Sequence, residues 1–309
     1  MIDTQQRVCI GKITLARKAV HSAVMHPATY INKVIIGFSD GHLELWNFKS
    51  KKLVYSYSSH LQTLSSVTDS APCITCLEQS PALDVVGIGF SSGHVALFNL
   101  KFDQVLFWFK QDCGAVTSLA FRTDLASEKF PFMVSSGITG RIHVWNLGTK
   151  RTGFDESSTI VERKLEHIIE EAHRGAIVKL HFLYGEPILV SSSADNSIKM
   201  WIFDSPDGSA RLLRSREGHS GFPRRIRYYG GVTNASVSDN ADALSCELIS
   251  SGSDGTLRLF NTAIEAQNRE MSQKPILKKL TMMRRNERLP EITGYDFSET
   301  RYDNTLQHG

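Results

Sequence analysis

Five short stretches of this chain can be laid over one another, and their repetition narrows the possible fold more than any other feature. They are Ile36-Gly-Phe-Ser-Asp-Gly-His-Leu-Glu-Leu-Trp46, Ile88-Gly-Phe-Ser-Ser-Gly-His-Val-Ala-Leu-Phe98, Ser135-Ser-Gly-Ile-Thr-Gly-Arg-Ile-His-Val-Trp145, Ser191-Ser-Ser-Ala-Asp-Asn-Ser-Ile-Lys-Met-Trp201 and Ser250-Ser-Gly-Ser-Asp-Gly-Thr-Leu-Arg-Leu-Phe260. Three positions and one position before each aromatic anchor the residue is always apolar: Leu43 and Leu45, Val95 and Leu97, Ile142 and Val144, Ile198 and Met200, Leu257 and Leu259. A period of two is the signature of a strand with one face buried. Five positions before the anchor stand Gly41, Gly93, Gly140, Asn196 and Gly255, residues that tolerate the positive φ of a tight hairpin. Each copy therefore reads as strand, turn, strand.

The anchors lie 47 to 59 residues apart, somewhat more than the ~40 to 45 residues of a WD repeat, so the connecting loops should be enlarged. The expected fold is all-β, a WD-repeat β-propeller with about five recognisable blades of an incomplete, seven-bladed ring. Blades are expected near residues 17 to 58, 70 to 110, 113 to 168, 173 to 215 and 219 to 263. Val8-Cys-Ile and Ile13-Thr-Leu read as strands before them, and Ser58 to Ser70 reads as a polar loop. The propeller should thus occupy 1–263, with 264–309 a tail: a short helix from Thr262 to about Ser272, then a polar linker from Lys274. A ring of five and a half units leaves apolar faces open, so the chain is expected to be one part of a longer propeller protein.

The fourth copy carries a set of residues that two kinds of chemistry could claim. His173, Ser191 and Asp195 are the residue types of a hydrolytic triad. In a blade, Asp in the turn and Ser in the strand instead orient His, and the hydrogen-bond chain ends on the indole of Trp201, a donor that needs a partner when buried. The repeat grammar favours this structural tetrad, and a nucleophilic serine between glycines on a strand-to-helix turn is absent. Only the fourth copy keeps His, Ser, Asp and Trp together. The second and fifth have Phe98 and Phe260 as anchors, and the third has Thr139 at the Asp position. No catalytic residue, cofactor site or metal site is assigned, and no small-molecule substrate is expected.

The other motifs are weak. Cys73-Ile-Thr-Cys76 lacks a second pair, and the five cysteines read as reduced structural thiols. Gly87-Ile-Gly89 is followed by a strand where a dinucleotide site needs a helix. Asn234-Ala-Ser236 fits a glycosylation acceptor, of consequence only in a secreted chain. No apolar run approaches a membrane span and no signal core opens the sequence, so an intracellular protein with no membrane contact is expected.

A net charge of +3 over 309 residues says little about partners. Two local runs say more. Arg211 to Arg227 holds six arginines against Glu217, followed by Tyr228 and Tyr229, and Lys278 to Arg288 holds five basic residues against Glu287. Arginine beside tyrosine can grip phosphate and stack on bases. The candidate partner or RNA contact is therefore Arg224, Arg225, Arg227, Tyr228 and Tyr229.

Beyond the generic repeat, His26-Pro-Ala-Thr-Tyr-Ile-Asn-Lys-Val34, Ala82 to Gly89, Phe109 to Asp124, Ala194 to Asp204, Arg211 to Arg214, Gly218-His-Ser220 and Ile226-Arg-Tyr-Tyr-Gly230 resemble the family of WD-repeat protein thirty-six, whose yeast-type member is U-three protein twenty-one. The match runs from about residue 20 to 262 and covers the later blades of a first propeller. Leu289-Pro-Glu-Ile292 resembles the start of a link to a second. The resemblance implies a non-catalytic scaffold of the nucleolar small-subunit processome. Its partners would be other processome proteins and U3 small nucleolar RNA or the pre-ribosomal RNA backbone. The alternative is a substrate adaptor or general interaction platform. Adaptors of ubiquitin ligation usually carry Trp-Asp-x-Arg, whereas here the steps are Trp46-Asn-Phe-Lys49, Trp145-Asn-Leu-Gly148 and Trp201-Ile-Phe-Asp204.

Overall fold

The structure, a computed structural model, describes residues 2–3, 8–9, 13–15, 18–65, 72–124, 132–148, 161–162, 165–205, 209–217, 219–229, 247–261 and 269–271. A short antiparallel pair, β1 (Ile2–Asp3) and β2 (Val8–Cys9), opens the chain. Five sheets, each built on four antiparallel strands, follow in sequence order. Sheet 1 is β3 (His21–Met25), β4 (Lys33–Phe38), β5 (Leu43–Asn47) and β6 (Lys52–Tyr57), and sheet 2 is β7 (Ile74–Gln79), β8 (Val85–Phe90), β9 (His94–Asn99) and β10 (Gln104–Lys110). Between them lies α1 (Ser59–Ser65). Sheet 3 is β11 (Ser118–Phe121), β12 (Phe132–Ser136), β13 (Ile142–Asn146) and, after the two-residue β14 (Val161–Glu162), β15 (Leu165–Ile169). Sheet 4 is β16 (Ile177–Phe182), β17 (Ile188–Ser193), β18 (Ser197–Ile202) and β19 (Arg211–Glu217), and sheet 5 is β20 (Pro223–Tyr229), β21 (Glu247–Gly252), β22 (Leu257–Asn261) and β23 (Arg269–Met271). The four consecutive strands of each sheet form an up-and-down meander, β14 adds to the outer edge of sheet 2 in parallel with β10, and the first strands of neighbouring sheets pack side by side from β3 through β7, β11 and β16 to β20.

The period-two positions turn out to be the contacts between blades. Leu43 and Leu45 pack with Ile74, Val86 and Ile88 of sheet 2. Val95 and Leu97 meet Leu119 and Met133 of sheet 3. Ile142 and Val144 meet Ile177 and Leu189 of sheet 4, while Ile198 and Met200 meet Ile226 and Leu248 of sheet 5. The aromatic anchor of each repeat points the other way, into the sheet before it: Phe98, Trp145, Trp201 and Phe260 each complete the cluster shared with the preceding blade. One strand thus supplies both interfaces, which is why its pattern is the most regular in the chain. A fifth cluster lies on the outer side of sheet 1, where Ile13, Leu15 and Ala19 pack against Ile36, Phe38 and Trp46.

The hairpin residues behave as their chemistry requires. Gly41, Gly93, Gly140, Asn196 and Gly255 have φ of 82°, 82°, 79°, 69° and 72°. At Gly140 a second constraint is added, because a Cβ there would collide with the carbonyl oxygen of His173. The amide of His173 in turn donates to Gly140 O at 3.0 Å, so the turn of one blade seats the entry loop of the next.

Three expectations are corrected. Ile13 to Leu15 is irregular backbone and not strand, its apolar side chains packed on the outer face of sheet 1. Ser59 to Ser65 is a helix and not a loop, seated by His60, which is buried and bonded through Nε2 to Gly41 O at 2.8 Å. The short helix expected between Thr262 and Ser272 is instead, at Arg269–Met271, the fourth strand of sheet 5, because β22 offers an unpaired edge there. The linker from Lys274, the basic run at Lys278 to Arg288 and Asn234 to Ser236 lie outside the described residues. Among the described residues no helix is long and apolar enough to cross a membrane.

Candidate functional site

Sheet 4 brings His173, Ser191, Asp195 and Trp201 into one hydrogen-bonded chain. The entry loop before β16 carries His173, β17 carries Ser191, the β17–β18 turn carries Asp195 and β18 carries Trp201. The Trp201 indole Nε1 donates to Ser191 Oγ at 2.9 Å, and Ser191 Oγ lies 2.7 Å from His173 Nε2. Since the indole only donates, the serine hydroxyl donates onward to Nε2, leaving Nδ1–H to face Asp195 Oδ2 at 3.1 Å. Burial holds His173 down to about 4, against the pull of Asp195. Burial would raise Asp195, but donors from the Ser197 hydroxyl and amide and from the Arg174 amide outweigh it and bring it to about 2. The neutral imidazole and the ionised carboxylate thus form a fixed, polarised pair.

The same order of atoms would serve a hydrolase, and burial decides against it. Ser191 is 0% exposed, and its oxygen already takes the indole proton. No approaching carbonyl could reach it.

Sequence reasoning missed a second copy of most of this network. In sheet 5, His219 Nε2 lies 2.7 Å from Ser250 Oγ, and His219 Nδ1 lies 3.2 Å from Asp254 Oδ2 and 3.0 Å from Thr256 Oγ1. Asp254 is held well below the usual carboxylate range: burial acts to raise it, and the Thr256 amide and hydroxyl and the Ser220 amide overcome that. Phe260 then replaces the indole, and the chain of donors ends at the serine.

The remaining blades satisfy their anchors differently. Trp145 Nε1 donates to Ser135 Oγ at 2.8 Å, but Cys113 occupies the histidine position, 3.6 Å from His143 Nδ1, and His143 Nε2 meets Asp112 at 2.7 Å. Cysteine, histidine and aspartate in line suggest a thiol nucleophile. Cys113, however, is 0% exposed and its thiol is pushed up to about 11 by burial and by Asp112, so no thiolate forms near neutral pH. In sheet 1 the buried Glu44 takes the Trp46 indole at 2.8 Å. The Asn after three of the anchors caps the following turn: Asn47 Oδ1 accepts from Lys49 and Ser50, Asn99 Oδ1 from Lys101 and Phe102, and Asn146 Oδ1 from Gly148. That turn-capping role accounts for Trp-Asn here.

The four described side chains of the basic candidate patch do not form one surface. All belong to β20, whose side chains alternate between faces. Arg225 and Arg227 point into a channel of ≈ 540 Å³ bordered by the first strands of all five sheets. The Arg224 guanidinium sits 5.1 Å over the Phe222 ring. Tyr228 packs against the sheet 4–sheet 5 cluster and its hydroxyl donates to Glu186 at 3.2 Å, so its ring is not presented for stacking on bases. The Tyr229 side chain lies outside the described ones. Among the described residues no group of His, Cys, Asp and Glu could hold a metal ion, and Cys73, Cys76 and Cys113 are free thiols.

Comparison with known proteins gives this architecture a family. A human protein, WD repeat-containing protein 36, is 38% identical over 91% of this chain. The U3 small nucleolar RNA-associated protein 21 homolog of Schizosaccharomyces pombe is 36% identical over 92%, and U3 small nucleolar RNA-associated protein 21 of Saccharomyces cerevisiae is 31% identical over 82%. The chain spans 28%, 28% and 24% of these three proteins. Among solved structures, the computationally designed Ika8 protein superposes with a TM-score of 0.52 at 21% identity, over 82% of this chain and 62% of that one, a likeness of fold. The model of the WDR36/Utp21 first β-propeller matches residues 1–204, that is, everything through the end of β18. The chain belongs to the WDR36/Utp21 first β-propeller family.

Proposed function

We propose that this chain is part of a non-catalytic scaffold of the small-subunit processome, working beside the U3 small nucleolar ribonucleoprotein in the nucleolus to support processing of small-subunit ribosomal RNA. The observation that carries the proposal is the family match, with two relatives named for their association with U3 small nucleolar RNA. Burial supports the non-catalytic reading. The three side-chain triads that look reactive, His173–Ser191–Asp195, His219–Ser250–Asp254 and Asp112–His143–Cys113, have their nucleophile atoms sealed in the core and committed to neighbours. What the fold offers a partner is its rims and its channel.

Affinity purification of the tagged native gene product should enrich U3 small nucleolar RNA over U1 and U2. Depletion should lower mature small-subunit RNA and leave large-subunit RNA unchanged. Purification without U3 enrichment would refute the assignment. Hydrolysis of an ester probe, abolished by Ser191→Ala, would refute the non-catalytic part alone.

A further inference from the structure

The channel bordered by the five first strands is strongly charged. Its walls carry Lys179, Arg225 and Arg227 against a single carboxylate, Glu78. Glu78 is already engaged, accepting from Lys179 Nζ at 2.8 Å. The two arginines have no carboxylate partner among the described residues: Arg225 Nη1 donates to Arg224 O at 3.1 Å and Arg227 Nη1 to Ile226 O at 3.0 Å. These are the carbonyls of their own strand, and they leave most of each guanidinium's donors free. The positive field is felt nearby. His181, on the strand that carries Lys179, is driven down to about 4, first by burial and then by Lys179 and Arg227.

We propose that this channel binds an extended acidic segment of a partner protein. Arg225 and Arg227 stand two residues apart on β20, so they project to the same side about 7 Å apart. Carboxylates at alternate positions of an extended peptide have the same repeat, and a guanidinium takes a carboxylate through two parallel hydrogen bonds. Lys179 on the neighbouring strand supplies a third charge, released from Glu78 when a stronger carboxylate arrangement arrives. The rest of the lining, with Ala23, Val24, Leu77 and Val178 beside the hydroxyls of Thr75 and Thr117, suits aliphatic side chains and a peptide backbone. Single-stranded nucleic acid would want a run of aromatic platforms for its bases, and the lining holds one imidazole, His26, and no Phe, Tyr or Trp ring. This site is independent of the processome assignment and can fail without it.

The test is fluorescence anisotropy with the purified chain and two labelled probes of matched charge: an alternating Ser-Glu dodecapeptide and an oligouridine with six phosphates. The peptide should bind more tightly than the oligouridine. Arg225→Ser with Arg227→Ser should weaken peptide binding about tenfold or more, roughly the loss of one good ionic contact. Glu78→Gln, which removes the competing carboxylate, should tighten it, a change that a folding defect could not mimic. Arg224→Ser, outside the channel, should leave it within about twofold. No binding of the peptide, tighter binding of the oligouridine, or equal weakening by Arg224→Ser would each overturn the proposal, the last by showing diffuse surface charge.

Discussion

Sheets 4 and 5 hold the same three polar residues in the same order, yet they finish and are covered differently. In both, a buried histidine bridges a serine and an aspartate at nearly equal distances, 2.7 and 3.1 Å in sheet 4 against 2.7 and 3.2 Å in sheet 5. Sheet 4 ends the network on the Trp201 indole, whereas sheet 5 has Phe260. Ile198 and Met200 are 2% and 3% exposed beneath sheet 5, while Leu257 and Leu259 are only half-buried, with no sheet among the described residues packed over them. The polar network is therefore built within a blade, and burial of the period-two residues is conferred by the neighbour. The two contributions can be separated by mutation.

The widest gap should come from the interface. Met200→Ala should cost about 3 kcal/mol, as expected when a large buried side chain leaves a cavity, and Leu259→Ala about 1 kcal/mol. Urea unfolding of the two variants checks this, and equal costs would mean that something covers sheet 5 as fully as sheet 4. The network gives the next difference. Ser191→Ala strands both the indole of Trp201 and Nε2 of His173 and should cost about 2 to 3 kcal/mol. Ser250→Ala strands only the histidine and should cost about 1 to 2. Exchange of the anchors sharpens the contrast further: Trp201→Phe should lose about 1 to 2 kcal/mol, whereas Phe260→Trp should be neutral or slightly stabilising, with a new donor to Ser250 visible as slowed exchange of the indole proton.

The smallest effect is in pH. His173 titrates below its ordinary value of 6.5, at about 4. A histidine held neutral in the fold contributes its full stability above the unfolded value and loses it as pH falls from about 6.5 towards 4, because the unfolded chain then takes the proton first. The urea midpoint should fall between pH 7 and pH 4.5, and His173→Gln should flatten that fall. Asp195, depressed to about 2, adds a loss only below its ordinary 3.8.

The sheets themselves were legible because each interface depends on residues at fixed offsets from one aromatic anchor. The tetrad of sheet 4 was equally legible, with three members inside one short stretch and His173 on the entry strand's loop just upstream. His219 belongs to an equivalent set, but a long connection between β20 and β21 separates it from Ser250 and hides the spacing. Glu44 was invisible as a partner for Trp46, since it stands where a solvent-facing residue would and departs from the serine pattern. The helix at Ser59 had no apolar periodicity to announce it, because one buried histidine seats it. Arg225 and Arg227 read as surface charge, since the channel they face is assembled from five strands far apart in sequence. Periodicity reports what one strand buries and is silent on what several strands enclose.

The single apolar cluster at each junction also gives the array a direction. Among the described residues each blade is coupled to the sheets beside it and to little else, so unfolding should travel from blade to blade, as in a zipper, starting where an end is least secured. At the first sheet Ile13, Leu15 and Ala19 close the outer face, and at the fifth Leu257 and Leu259 stay half-open. Backbone amides should therefore exchange fastest in sheet 5 and progressively more slowly toward the middle of the array, so that a partner docking on the fifth sheet would slow exchange in sheets it never touches.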